Sequence, residues 1–505
     1  MVVGLFIESV LHIATPTNFL LIILGVTIGT IAGAIPGFLG SNTVAIFLPI
    51  TIAMEPEIAI VFLSCLYLGA NYGGAIPAVL INTPGTAQAT ATVLDAYPMS
   101  RSGQPSMALG ISILASSLGG FISVIFILLL LPTIGDFAFL FGNREIFVLG
   151  LFGLAAVSVA LGDDIKKGIV SGFLGLFLAV WSVDPATSQS RMDFGLYALY
   201  DQAPFIPVVI GLFAISELIY LINKRQISET ADVETTYSGV LEGFVYCIKR
   251  PIAVLRATLI GLFVGAMPGA GATMANFVSW STAKSMSGSP ESFGKGNPDG
   301  VVASEASNSA VTGGSLVPTI TLGIPGSGTT AVMLAALLLH GIRPGPQLMQ
   351  DFAFEANVIM VALLFANIVL LFVGLLISKY IVRVVLLPTK YIVPAILVLT
   401  VIGSFVLRSS TFDVWWMFLF GIIGLLMREN NYSMVPLILG IILGPIIEGS
   451  YRRSLLVSSG DPMYFFGSRI AIVLWMLTFA ILIGRPLYDR YGDHVKAAIL
   501  YRISR

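Results

Sequence analysis

The chain has 505 residues, 56% of them hydrophobic and 10% charged, with a mean hydropathy of +0.94 and a formal net charge of −1. Soluble domains carry roughly 25% charged residues, so this is the composition of a polytopic membrane protein, and its near-neutral balance argues against nucleic acid as a partner. Cys65 and Cys247 lie far apart and His12, His340 and His494 are the only histidines, which leaves neither a disulfide framework nor a His-based metal centre.

Residues 1–100 contain no Lys or Arg, and the opening "MVVGLFIESVLHIATPTNFLL" lacks the basic n-region of a cleavable signal, so Met1 is expected to belong to the mature chain. A spanning helix needs about 20 apolar residues. Candidates lie near 18–34, 57–80, 107–131, 145–161, 166–183, 204–223, 253–267, 326–340, 353–379, 385–406, 412–427, 433–447 and 468–485. Shorter or Gly/Pro-interrupted stretches lie around 38–53, 270–286 and 311–324. The expectation is an all-α polytopic protein of about 11–14 membrane segments, some of them broken or re-entrant.

The breaks recur. "GAIPG" at 33–37 returns as "GAMPG" at 265–269; Gly73-Gly74 matches Gly313-Gly314, Pro84-Gly85 matches Pro325-Gly326, and "RSG" at 101–103 matches "RPG" at 343–345. Four landmarks in order point to two internal repeats. The polar segment 223–252 carries Lys224, Arg225, Lys249 and Arg250, and the tail after 485 is basic, so both are placed in the cytoplasm, with the Lys/Arg-free N-terminus outside. The repeats are then inverted. The expected division is a first membrane repeat at 1–223, a cytoplasmic linker at 224–252, a second repeat at 253–465, and an extra helix with a basic cytoplasmic tail at 466–505. This scheme places Arg452 and Arg453 outside, against the same rule.

Pro and Gly end one helical segment and let another begin. In a membrane the freed backbone groups survive only inside protein or beside a watery cavity. There, helix N-termini favour anions, while unwound carbonyls coordinate cations. Paired broken helices in two inverted halves are the pattern of a secondary transporter's binding site. The first repeat offers Gly37, Ser41, Asn42, Thr43, Asn82, Thr83, Gly85 and Thr86; the second offers Gly269, Thr273, Asn276, Gly326, Ser327, Thr329 and Thr330. These neutral oxygen donors suit a hard cation such as Na⁺ and the oxygens of a carboxylate. Because the first half has no Arg or Lys at its breaks, an anionic substrate is expected to be met there by helix termini and a bound Na⁺ or H⁺. Lys284, Lys295 and Arg343 are the basic candidates of the second half, the last two in turn-rich sequence.

The polar stretch 293–314 departs most from the repeat. Glu305 and Asn308 would share a helix face, as an ion ligand or proton carrier beside a cavity or as part of a solvated loop. Asp95 reads as a loop cap, and Asp163-Asp164 with Lys166-Lys167 as a charged turn.

"GAIPG", "YGGAIPAVLINTPGT", "LDAYPM", "FGKGNPDGVVASEASNSA", "LGIPGS" and "HGIRPGP" together resemble the large membrane subunit of the tripartite tricarboxylate transporters, over about residues 15–450. The resemblance implies an elevator-like secondary importer of carboxylates in the bacterial inner membrane, with no cofactor and driven by Na⁺ or H⁺. It also implies two partners, a small four-helix membrane subunit and a periplasmic solute-binding protein, beside the membrane lipid. Ala96, Ser304 and Ser309 depart from the family pattern and leave open whether the carboxylate is citrate itself. A passive anion channel, whose pore broken helices could also line, is the alternative. A membrane-embedded enzyme would need a nucleophile–base pair or metal cluster, and the sequence offers neither.

Overall fold

The computed structural model describes residues 2–35, 38–138, 140–160, 165–181, 191–192, 204–222, 235–267, 271–346, 348–377, 380, 389–406 and 408–483. Gly37, Gly269, Asp163-Asp164, residues 224–234 of the linker and the tail from 484 lie outside these residues, as does the side chain of Thr273. The described chain is helical, without strands. Among the described residues, seven helices are long and apolar enough to cross a membrane: Pro16–Gly33, Pro56–Ile81, Pro105–Leu131, Phe205–Ile222, Ala353–Ile377, Thr411–Glu429 and Met434–Val457. Shorter apolar helices stand between them, among them Gly40–Ala53, Pro251–Gly265 and Gly328–Leu339. The chain is therefore an all-α, multi-pass membrane protein.

In chain order the helices are α1 (Val2–Ile13), α2 (Pro16–Gly33), α3 (Gly40–Phe47), α4 (Pro56–Gly73), α5 (Ala75–Ile81), α6 (Thr90–Arg101), α7 (Pro105–Ala138), α8 (Asn143–Ala160), α9 (Ile165–Val180), α10 (Phe205–Ile210), α11 (Ser216–Ile222), α12 (Tyr237–Ile248), α13 (Pro251–Gly265), α14 (Gly271–Ser285), α15 (Pro298–Leu322), α16 (Gly328–Leu339), α17 (Leu348–Asp351), α18 (Ala353–Ile377), α19 (Thr389–Val406), α20 (Thr411–Glu429), α21 (Met434–Val457) and α22 (Arg469–Ile483). Their starts follow from sequence. Pro opens α2, α4, α13 and α15, where its missing N–H costs nothing. Asn297 caps α15 by accepting from the Asp299 N–H at 2.8 Å, and Ser327 with Thr330 forms a reciprocal capping box on α16.

Chain contacts divide the protein into two compact units, residues 1–139 with 204–426, and residues 140–203 with 427–505. In the second unit α21 packs against α8 and α9. A Cβ at Gly175 would collide with the Leu437 carbonyl, so the backbones touch there. Glu448 on α21 receives Arg191 at 2.7 Å and Arg452 at 2.9 Å, so the Arg452 charge that fitted the topology poorly is met within its own helix.

The first unit holds the glycine- and proline-rich breaks of both halves, and its packing is written in glycine. Lipid tails are as apolar as Leu, so helices in a membrane associate through close van der Waals fit, which small residues permit. On α2, a Cβ at Gly29 or Gly33 would collide with the carbonyl of Leu66 or Ala70 on α4, and one at Gly73 would collide with that of Thr30. In the second half, Gly261 faces the Ser307 carbonyl, Gly265 faces the Val311 Cα at 3.0 Å, and Gly314 faces the Leu262 carbonyl at 2.5 Å. These contacts are the same three, displaced by 232 residues on the first helix (29 to 261, 33 to 265, 30 to 262) and by 241 on the second (66 to 307, 70 to 311, 73 to 314). The packing thus pairs Gly73 with Gly314 and Gly74 with Ser315, one residue on from the match that the Gly-Gly dipeptides suggest. The long-range packing also crosses over: α1 lies on α18 of the second half, and α12, within the segment between the halves, lies on α7 of the first.

Candidate functional site

The three breaks of the first half meet at one point. Gly85 donates its N–H to the Gly74 carbonyl at 2.9 Å, and a Cβ on Gly85 would collide with the Gly33 carbonyl and lie 2.8 Å from the Gly74 Cα. The end of α2, the α4–α5 joint and the turn after α5 therefore converge where only glycine fits. The second half repeats this: a Cβ on Gly326 would lie 2.9 Å from the Gly265 carbonyl and 2.7 Å from the Ser315 Cα. The turns enter these points by left-handed residues, Asn82 at φ 58° and Gly323 at φ 71°. Asn82 and Thr83 themselves are exposed at the tip of the turn, outside the buried cluster.

The broken elements then cross between halves. The short helix α3 packs on α16, and α14 packs on the 87–89 turn and α6. At the first crossing, Ser41, Asn42 and Thr43 are buried in the opening turn of α3, which has no side-chain cap. A Cβ on Gly40 would stand 3.0 Å from Thr329 Oγ1 and 3.6 Å from Asn71 Oδ1. Tyr67 OH lies 3.0 Å from Ser315 Oγ and 3.2 Å from Ser327 Oγ, tying α4 to the start of α16. Asn42 Nδ2 donates to Glu217 Oε2 at 3.2 Å, beside a π-helical turn at Gly211–Ile215. Such turns interrupt a helix at functional positions more often than elsewhere.

At the second crossing, Asn276 Nδ2 donates to the Gln88 carbonyl at 2.9 Å. Glu305, fully buried on α15, accepts from Thr92 Oγ1 of α6 and, at 2.8 Å, from Ser116 Oγ of α7. No Lys, Arg or His pairs with Glu305 among the described residues, so its carboxyl is met by neutral donors alone. The 293–314 segment is not a solvated loop, because α15 runs from Pro298 and is buried from Gly300 to Leu316. Its Pro318 lies inside the helix. Asp95 closes the turn before α15, accepting the N–H groups of Gly294, Gly296 and Asn297 at 2.8–3.0 Å and Trp280 Nε1 at 2.7 Å. Lys284 sits over the Trp280 ring, and Lys295 and Arg343 are exposed.

Between the crossings, Asn71 Nδ2 donates to Thr312 Oγ1 at 2.7 Å and Asn308 Nδ2 to the Asn71 carbonyl at 3.3 Å. The three amides Asn71, Asn276 and Asn308 thus each donate into the protein while the Oδ1 of each has no partner among the described residues. Gln88 Oε1, Thr86 Oγ1, Ser307 Oγ and Ser309 Oγ share that state. Buried polar groups are normally satisfied, and an amide oxygen cannot turn donor, so these acceptors call for a cation or a hydrogen-bond donor. Three or more His, Cys, Asp or Glu side chains do not converge anywhere among the described residues, so the donor set offered is neutral oxygen.

The structure therefore brings together Ser41, Asn42, Thr43, Ser327 and Thr329 at one crossing and Thr86, Asn276 and Glu305 around the other, with Asn308 between them beside Asn71 and Gly85 and Gly326 as the close-contact points. Sequence reasoning missed Tyr67, Asn71, Gln88, Thr92, Ser116 and Glu217. Glu217 could have been found as a lone acid inside an apolar span. The others are ordinary polar residues whose partners lie up to 260 positions away in the chain.

The family model described as "Tripartite tricarboxylate transporter TctA family" matches residues 19–439. An uncharacterized 52.8 kDa protein in the TAR-I ttuC' 3' region of Agrobacterium vitis is 32% identical over 476 residues, 93% of each chain. An uncharacterized protein in the TAR-II ttuC' 3' region of the same organism is 32% identical over 214 residues, 42% of this chain and 88% of that one. No solved structure matches.

Proposed function

The chain belongs to the tripartite tricarboxylate transporter TctA family, a family of transporters rather than enzymes, and on that premise we propose that it is the large membrane subunit of a secondary active importer of di- or tricarboxylates in the bacterial inner membrane. A periplasmic binding protein delivers the substrate and a small membrane subunit completes the complex. The observation that carries this reading is the crossing of the broken helices, α3 on α16 and α14 on the 87–89 turn. Each crossing brings a helix start from one half to a break from the other. The N-termini favour carboxylate oxygens, and the unpartnered carbonyls of Asn71, Asn276 and Asn308 favour a cation. Substrate and coupling Na⁺ or H⁺ then neutralise one another in a region without Lys or Arg, which makes the binding of each depend on the other.

The repeats 1–223 and 253–465 are read as inverted, with 224–252 as a cytoplasmic linker and 466–505 as a terminal addition. The repeated glycine contacts support the repeat, and the hydrogen bond between the matched positions Asn71 and Thr312 supports a twofold relation between the halves. In this reading the break-rich sections 33–105 and 265–347 move together past a scaffold, as in an elevator.

The experiment is uptake of labelled citrate and other carboxylates into proteoliposomes holding this chain, its small partner and its binding protein. Accumulation above the external concentration that requires an inward Na⁺ or H⁺ gradient is the expected result. Equilibration without a gradient would make the breaks the lining of a passive anion channel.

A further inference from the structure

Away from the crossings, the joint between α12 and α13 and the end of α14 enclose a cavity of about 350 Å³ lined by Lys249, Arg250, Ile252, Arg256, Met286 and Asp299. Its one carboxylate is already engaged: Asp299 accepts from Arg250 Nη1 at 3.1 Å and from Tyr246 OH at 2.9 Å, and Arg250 also lies over the Tyr246 ring. The other two cations have no counter-ion among the described residues. Arg256 finds only the thioether of Met286, at 3.2 Å, and Lys249 makes no side-chain bond. The start of α13 has no side-chain cap, and its first residues Pro251, Ile252 and Ala253 line the same cavity. Three cations, one spent carboxylate and an uncapped helix start give a concave site for an anion with several oxygens.

The rim decides which anion. Ile248 is 66% exposed, Ile252 78% and Met286 66%, forming an apolar collar directly beside the cations. A free phosphate or carboxylate has nothing to gain from that collar. A phospholipid places its phosphodiester among the cations and its acyl chains along the apolar side chains, and basic pockets between membrane helices take such headgroups. We propose that this cavity binds the phosphate of an anionic phospholipid, holding the α12–α13 joint against the membrane surface. The assignment is independent of which substrate the crossings bind.

The full-length protein, purified in detergent, is titrated with phosphatidylglycerol or phosphatidylcholine, and the retained lipid is read by native mass spectrometry. The unaltered chain should retain phosphatidylglycerol preferentially. Lys249→Gln with Arg256→Gln should weaken that retention roughly thirtyfold, as the loss of two cations implies, whereas Arg256→Lys should keep most of it and Arg453→Gln, on α21 of the second unit, all of it. Circular dichroism and size-exclusion elution of each variant separate lost binding from lost folding. Equal retention by the folded double variant would overturn the site. Displacement of phosphatidylglycerol by millimolar inorganic phosphate would overturn the lipid assignment in favour of a free anion.

Discussion

Asn71 Nδ2 donates to Thr312 Oγ1 at 2.7 Å, and the two residues occupy matched positions of the two halves, 241 apart. Matched positions that bond to each other lie on or near the axis that relates them. In the twofold relation proposed above, that axis would run where α4 meets α15.

The bond should therefore be measurable as a coupling. Asn71→Leu and Thr312→Val should each lower the apparent melting temperature of the purified protein, and the double variant should lose less than their sum. Interhelical hydrogen bonds in membranes carry about 0.6 kcal/mol on average in double-mutant cycles. Strict additivity would mean that the pair does not hold the halves together.

Close backbone approach predicts which glycines tolerate a methyl group. Gly85→Ala and Gly326→Ala place a Cβ against the carbonyls of Gly33 and Gly265. Each should cost about 1–3 kcal/mol as an overpacked site and reduce uptake more than it reduces expression. Gly288→Ala meets nothing within 4 Å and should be silent in both assays. If all three behaved alike, the convergence of breaks at Gly85 and Gly326 would be of no consequence.

Glu305 offers a separation of folding from coupling. Glu305→Gln keeps one oxygen to accept from Thr92 or Ser116, offers its amide N–H to the oxygen of the other hydroxyl, and removes the ionisable carboxyl. The expected outcome is a protein of near-unchanged melting temperature that exchanges labelled carboxylate across the membrane without accumulating it. Unimpaired accumulation would remove Glu305 from the coupling machinery. Glu305→Ala should in addition destabilise the fold by about 1–3 kcal/mol, because two buried hydroxyls lose their acceptor.

Asn276→Ala and Asn308→Ala each delete an amide oxygen that has no partner within the described protein. If those oxygens hold the coupling ion, each variant should raise the Na⁺ concentration for half-maximal uptake about tenfold or more, the effect of one lost bond to a charged group. An unchanged Na⁺ dependence, with a shifted dependence on external pH, would assign the coupling to protons instead.

Much of this was legible in the chain. The excess of apolar residues, the Pro-Gly breaks and their repetition state that the protein crosses a membrane with interrupted helices. Gly85, Gly326, Ser327 and Asn276 are recognisable because breaks need glycine and because polar residues are conspicuous in apolar surroundings. The Gly-Gly dipeptides misled by one residue, since the contact that matters is made by the glycine facing the partner carbonyl, and helix rotation, not spelling, decides which one that is. Tyr67, Asn71 and Ser116 gave no local signal at all.

What the sequence by itself determined was therefore the solvent, the breaks and the recurrence of their landmarks, because hydropathy, proline and glycine act on the chain locally and at fixed spacing. What only the tertiary structure decided was the exchange between halves: α3 beside α16, α14 beside the 87–89 turn, and Glu305 among Thr92 and Ser116. Those pairings join residues about 190–290 positions apart. They depend on how glycine-lined helices fit side against side, and no stretch of sequence carries that fit alone.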